Sequence, residues 1–312
     1  MKRFICIILI LILTAVNFMT ANASDIKITY LASQDWTDTQ GADGWYSMYS
    51  TTNTIGSYEN MEWGYWENIW KTCFAYSVQT GKASVYIAGE GLLKPNIGSS
   101  VARVWVAPMD GKVRLTSNGG VRKNESKTSG CTVKARIVKT DSQDKNQNVL
   151  WEQNIAGVDN VGVNYDLSID VKNGEKIYFE VSCVDTDANG ETRWDPQIEY
   201  NRAAYFSANG EKVNFSKDIN DAETLECVFY DADSINKSSV VYLALYDENG
   251  TMVDYRNMSI DIDNWNTRKA NLSMPVLFGR ESYEGWTAKI FVLVLDGNRC
   301  YSMMSDEPFG LY

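Results

Sequence analysis

Histidine is absent from all 312 residues. That removes Ser-His-Asp and Cys-His catalysis, histidine-ligated zinc and imidazole acid–base chemistry together. The phosphate-cradling patterns GxxxxGK[ST] and strand-following GxGxxG are missing too, so nucleotide chemistry has no support. Positive charge is in deficit, with 29 Lys and Arg against 40 Asp and Glu. Nucleic acid and anionic membranes are therefore poor partners, because binding phosphate needs a basic footprint. The six cysteines form no CxxC pair and hence no zinc signature. There is no short internal repeat and no low-complexity linker.

What is present begins with a leader. Lys2 and Arg3 precede an apolar run from Phe4 to Val16, and Ala21, Asn22 and Ala23 form a small-residue cleavage site. The run is shorter than the roughly 18 to 20 apolar residues that span a bilayer, so cleavage is favoured over anchoring. Residues 1–23 are expected to be a signal peptide, with the mature chain starting at Ser24. Cleavage takes the net charge from −11 to −13. The expected location is secreted, extracellular or at the cell surface, with no membrane insertion after cleavage. Cys6 leaves with the leader. Of the rest, Cys227 and Cys300 are far enough apart to pair across a C-terminal sandwich, and all five read equally well as small buried apolar residues.

Runs such as "ASVYIAG", "ARVWVAP", "TVKARIVK" and "KIYFEVSCV" alternate apolar and polar residues and are punctuated by Gly, Asn and Asp. An all-β fold of two β-sandwich domains is expected, an N-terminal one over 24–209 and an immunoglobulin-like one over 210–312. The boundary is set by the Asn209-Gly210 turn signal, and the later segment has its own strands, with "DENG" (Asp247 to Gly250) as a hairpin turn.

Three stretches carry candidate chemistry. Five of the ten tryptophans fall between residues 36 and 70, which makes that region the place to look for a surface that stacks on sugar rings. Trp36, Trp45, Trp63 and Trp66 are the candidate stacking residues, with Asp35 and Gln40 as orienting polar groups. The opposing reading is that these rings are core. Within "ENMEWGYWENIWK", Trp63, Trp66 and Trp70 fall at helical spacing while Met61, Trp63 and Tyr65 fall on one strand face, and the sequence leaves both open. In "DTDANGETRWDP", Asp185, Asp187 and Asn189 before Gly190 have the spacing of oxygen ligands that converge on Ca²⁺. Pro196 stands where an EF-hand needs its glutamate, and an Asx-rich turn accounts for the same residues. Finally, "RVWVAPMDGKVRL" (Arg103 to Leu115) reads as a hairpin turning at Pro108 to Gly111, with Arg103 free to salt-bridge or face a ligand.

Taken in order, "QDWTDTQGADGWYSMY", "VARVWVAPMDGKVRL", Leu150-Trp151, "VKNGEKIYFEV" and "RWDPQIEY" resemble the landmarks of β-sandwich accessory modules in secreted bacterial polysaccharide-processing proteins. Those modules run Gln-Gly-x-x-Gly-Trp-Tyr, an Arg-x-Trp-x-Ala-Pro hairpin, a Gly-Asp-x-Ile strand and a terminal Asp-Pro. The resemblance covers nearly all of the first domain and implies a jelly-roll-like sandwich. Lys94, Pro95 and Asn96 replace the family's His-Pro-Gly, and Gly174-Glu175 its Gly-Asp. "VVYLALYDENGTMVDY" resembles the small Ig-like modules near the ends of clostridial secreted proteins. The resemblance implies a non-catalytic companion of carbohydrate-active machinery.

The expected function is thus binding of a polysaccharide or cell-surface glycan through aromatic side chains, without catalysis and without a cofactor beyond structural Ca²⁺. The first alternative is a structural or protein-interaction module meeting other extracellular proteins. A histidine-free glycosidase or polysaccharide lyase comes third, since two carboxyl groups, or Tyr beside Lys or Arg, are all such chemistry requires.

Overall fold

The computed structural model describes residues 27–302 except 53, 70, 78–83, 90, 125–129, 186–189, 209–210, 213–223, 233–238, 261–267, 274–286 and 295–298. Among these, every regular element is a β-strand apart from one 3-10 turn, Ala42–Gly44. The fold is all-β, with antiparallel ladders in four sheets.

Two sheets face each other across the main core. One runs Asn148–Ile155, Val133–Thr140, Lys176–Cys183, Ser100–Val106, Trp45–Ser50, Glu59–Asn60. The other runs Leu167–Val171, Asp110–Ser117, Pro196–Ala208, Thr224–Asp231, Arg268–Ser273, with Thr29–Leu31 and Glu211–Lys212 also on Pro196–Ala208. Period-two alternation supplies the filling. Ala135 and Ile137 lie opposite Val181 and Phe179 on the first sheet, and Val113, Leu115, Ile198 and Tyr200 come from the second. Trp105 of the first sheet meets Tyr30 and Tyr200 of the second at ring-centroid distances of 5.3 and 5.9 Å. Burying each such ring is worth about 2–3 kcal/mol.

The first sheet is covered on its other face as well. Ile55, Ala102, Val104, Val138 and Tyr178 form a second buried cluster there, with Tyr46, Met48 and Tyr58 packed on it. Ser100–Val106 is therefore buried on both sides, which explains its nearly unbroken apolar run.

The expected hairpin across Arg103 to Leu115 is not formed. Ser100–Val106 pairs with Lys176–Cys183 and Trp45–Ser50, whereas Asp110–Ser117 pairs with Leu167–Val171 and Pro196–Ala208. Each strand is central in its own sheet with both edges taken, so the buried Ala107 and Met109 carry the chain from one layer to the other. Gly111 begins the second layer where a Cβ would sit 2.0 Å from the Arg202 carbonyl oxygen. The partner strand shifts register there, between Tyr200 and Arg202.

A third sheet runs Arg122–Lys123, Thr192–Arg193, Leu92–Lys94, Val85–Ala88, Lys71–Tyr76, Glu62–Trp66. Phe74, Val85, Ile87 and Leu93 join the main core, and the opposite face carries its own cluster of Trp66, Cys73, Ala75, Tyr86, Ala88 and Leu92. "ENMEWGYWENIWK" thus holds two short strands, Glu59–Asn60 and Glu62–Trp66, in different sheets, with a turn after the second. Gly64 and strand pairing with Lys71–Tyr76 override the helical spacing.

The fourth sheet runs Met252–Ile260, Ser239–Tyr246, Thr287–Val294, Arg299–Ser302. Its hairpin turns at Asp247 to Gly250, where Asp247 accepts bonds from the Asn249 and Thr251 amides at 3.0 and 2.8 Å. Near the expected boundary, Pro196–Ala208 pairs through Arg202 to Ala208 with Thr224–Asp231. Cys227 and Cys300 lie on strands of different sheets, and their side chains are outside the described ones. Residues 1–23, Trp70, Asp187 and Asn189 are also outside. No helix among the described residues is long and apolar enough to cross a membrane.

Candidate functional site

The turn after Thr29–Leu31 is tied down by Asp35. Its carboxylate accepts the Leu31 amide at 3.1 Å and Trp45 Nε1 at 3.4 Å. Lys27 Nζ sits 2.9 Å from both Asp35 and Asp43, and the two carboxylates raise its pKa above the ordinary value against the opposing effect of burial. Gln40 serves the backbone. Its Nε2 donates to the Ser47 and Met61 carbonyls at 2.9 and 3.0 Å, and its Oε1 accepts the Ser47 amide at 2.8 Å. Three of the amide's four hydrogen-bonding positions are taken.

This anchored turn presents Trp36 to Arg103. The guanidinium lies 4.6 Å from the Trp36 ring and 5.4 Å from the Trp45 ring, and Nη2 donates to the Ala32 carbonyl at 2.8 Å. Only 2% of Arg103 is exposed, and desolvation pulls its pKa down to about 10 against the charges of Asp195 and Asp35. The indole faces supply part of the stabilisation that water would give. Arg103 thus faces indoles rather than a carboxylate or open solvent. A cavity of about 10 Å³ remains beside it, lined in part by Thr37, Thr39 and Ser47, room for one water at most.

Beyond Trp36 the aromatic cluster reaches the surface. Trp63 lies 6.0 Å from Trp36 and 5.0 Å from Phe74, and Trp36 lies 5.6 Å from Phe74. The segments before and after Trp45–Ser50 therefore meet in space. Trp63 is 38% exposed and Tyr65, two residues along the same strand, 55%. Period two puts both on one side of Glu62–Trp66, which is the edge of its sheet among the described residues.

The other candidates point elsewhere. Trp45 is buried in the main core, 6.0 Å from Phe179. Trp66 is buried on the opposite face of its strand, where Nε1 donates to the Cys73 carbonyl at 3.2 Å. Neither indole has an open face, so both are packing residues. Asp185 is exposed and accepts the Thr132 amide at 2.9 Å. No group of three or more Cys, Asp or Glu placed to hold a metal occurs among the described residues.

A cavity of about 270 Å³ lies at the other end of the same turn and was not singled out from the sequence. Ser33, Asn118, Gly120, Arg122, Arg193, Trp194 and Asp195 line it. Asp195 accepts the Ser33 amide and hydroxyl at 2.9 and 2.8 Å and Asn118 Nδ2 at 3.2 Å. Arg122 and Arg193 are direct cross-strand partners. The signals for it, "SNGGVRK" and "RWDP", are some 70 residues apart and are united by strand pairing, Ser117 with Pro196 on one side and Arg122–Lys123 with Thr192–Arg193 on the other. Asp195 is the one carboxylate among the described residues of this lining, so the arrangement is suited to hydrogen-bonding a polar ligand.

No family model matches the sequence, and no curated protein matches it either. Among solved structures it is similar to the adhesin domain of Epf from Streptococcus pyogenes, at 12% identity and a TM-score of 0.33, covering 91% of this chain and 92% of that one. It is similar to Bacteroides uniformis β-glucuronidase 2, in a D341A D367A calcium-binding mutant, at 11% identity and a TM-score of 0.24, covering 88% of this chain and 32% of the other. A putative β-galactosidase from Bacteroides fragilis gives 12% identity and a TM-score of 0.23, with 89% and 40% covered. The chain spans less than half the length of these last two proteins.

Proposed function

We propose that this chain is an exported, non-catalytic binding protein whose ligand is a polysaccharide or cell-surface glycan. One observation carries the reading: Trp63 and Tyr65 stand exposed on one side of an edge strand. Trp36 and Phe74 back Trp63 from behind, and Trp36 is in turn held against the Arg103 guanidinium. A sugar ring offers a face of polarised C–H bonds, and an aromatic ring already fixed by its neighbours meets that face with little loss of side-chain freedom. Thr72 lies across the strand pair from Tyr65, and the turn residues Thr37 to Thr39 add hydroxyl and carboxylate partners on the Trp36 side. The carboxylates around the turn are engaged, Asp35 with Lys27 and Trp45, Asp195 with Ser33 and Asn118, which favours holding a ligand over proton transfer.

Affinity electrophoresis or calorimetry against a panel of soluble polysaccharides tests this. Trp63→Ala should weaken binding at least about tenfold, equivalent to ~1.4 kcal/mol, while the protein stays folded. A folded Trp63→Ala protein that binds every polysaccharide as the parent does would overturn the reading.

The outer edge of Glu62–Trp66, without a strand partner among the described residues, favours a second reading, in which an extended segment of another extracellular protein adds to the sheet there. A protein partner that soluble glycan does not displace would select it.

A further inference from the structure

The sulfur atoms of Cys131 and Cys183 lie 2.6 Å apart, closer than two unbonded sulfurs rest. Cys183 ends Lys176–Cys183 opposite Val133, and the ladder continues past it through the Val184 amide, which donates to the Thr132 carbonyl at 2.9 Å. The backbone thus holds the two cysteines side by side. Gly190 closes over them: a Cβ there would lie 2.9 Å from Cys183 Sγ and 3.3 Å from Cys131 Sγ. This close approach accounts for the glycine that the sequence suggested as part of a cation loop. Lys123 lies beneath, 1% exposed, with Nζ donating to the Cys131 carbonyl at 3.3 Å. Cys131 is buried, and Cys183 is partly open to solvent.

We propose that Cys131 and Cys183 form a disulfide that ties the start of Val133–Thr140 to the end of Lys176–Cys183, under Gly190. The oxidant is an external disulfide. The Cys183 thiolate attacks one of its sulfurs and expels the first thiolate, giving a mixed disulfide. Cys131 then loses its proton and attacks Cys183 Sγ, expelling the second. Two protein thiols are oxidised, one external disulfide is reduced, and the two protons leave on the released thiols. In the reduced pair the hydrogen bond with the Cys183 thiol lowers the Cys131 pKa most, and the neighbouring Lys123 ammonium lowers it further against the effect of burial. Cys73 stays a thiol, because burial pushes its pKa up to about 11 and no second sulfur faces it among the described residues.

The test uses the full chain incubated with oxidised glutathione, then alkylated under denaturing conditions, digested and mapped by mass spectrometry. A peptide pair joining Cys131 to Cys183 that separates on reduction is expected, and the oxidised protein should melt about 5–15 °C above the reduced one. Cys131→Ser should retain glutathione on Cys183. Cys183→Ser, which alters the more exposed partner, should show Cys131 free. Full alkylation of both cysteines after oxidation, or linkage of either to Cys227 or Cys300, would overturn the proposal.

Discussion

Trp105 and Trp63 are both tryptophans on β-strands, yet one is wholly buried and the other 38% exposed. The difference lies in where each strand sits. Ser100–Val106 has a partner on both edges and a packed layer on both faces, whereas Glu62–Trp66 ends its sheet among the described residues. Residue type is the same, and position in the sheet decides whether a ring is mortar or contact surface. The two faces of Glu62–Trp66 repeat the contrast at smaller scale, with Trp66 inside a cluster and Trp63 outside.

The comparison breaks most visibly at the core. Trp105→Ala should cost about 3–5 kcal/mol of unfolding free energy, read from urea denaturation, and a loss below ~1 kcal/mol would mean that the two sheets do not share this ring. Trp66→Ala should cost less, about 2–3 kcal/mol, because its cluster is small and near an edge. In the same assay Trp63→Ala should cost only about 1 kcal/mol while removing glycan binding. Equal losses from Trp63 and Trp66 would erase the distinction between the faces.

Alkaline titration sharpens the contrast in a different way. Burial raises the phenol pKa of Tyr30, Tyr86, Tyr165, Tyr178 and Tyr200 above the ordinary value near 10. The folded chain keeps protons that the unfolded chain releases, so stability is full below pH 10 and falls as pH rises beyond it. These core phenols should ionise together with unfolding in a tyrosinate absorbance titration, rather than one by one before it. The smallest effect belongs to Tyr65→Ala, within about 0.5 kcal/mol on stability yet with a measurable loss of glycan affinity.

Much of the fold was legible because alternation survives wherever one face is buried. Val133 to Ile137 and Ile177 to Val181 declare their inward sides in the letters alone. The Arg103 to Leu115 stretch was misread because a tight turn and a crossing between layers share the same Pro and Gly. What separates them is whether the strand edges are already occupied, a property of distant residues. Of the candidate site, tryptophan density marks residues 36 to 70, where the structure brings Trp36 and Trp63 together, while burial sorts Trp45 and Trp66 into packing. Gln40 looked like an orienting group for a ligand because its amide chemistry is the same when the partners are backbone. The Asn118, Arg122, Arg193 and Asp195 cavity lies where a long ladder ends at Ser117 and Pro196 and a pair of two-residue strands begins, a meeting of distant segments that no local pattern declares.

Gln40 also bears on how the protein ages. Its amide donates two hydrogen bonds to carbonyl oxygens and accepts one from an amide, within the turn that presents Trp36. Hydrolytic deamidation replaces that NH₂ by an oxygen, leaves the side chain almost the same size, and sets a carboxylate against two carbonyls it had been bonded to. A lesion of one heavy atom, nearly silent in mass and shape, would thus be felt first as a loosened turn beneath Trp36 and only afterwards as lost stability.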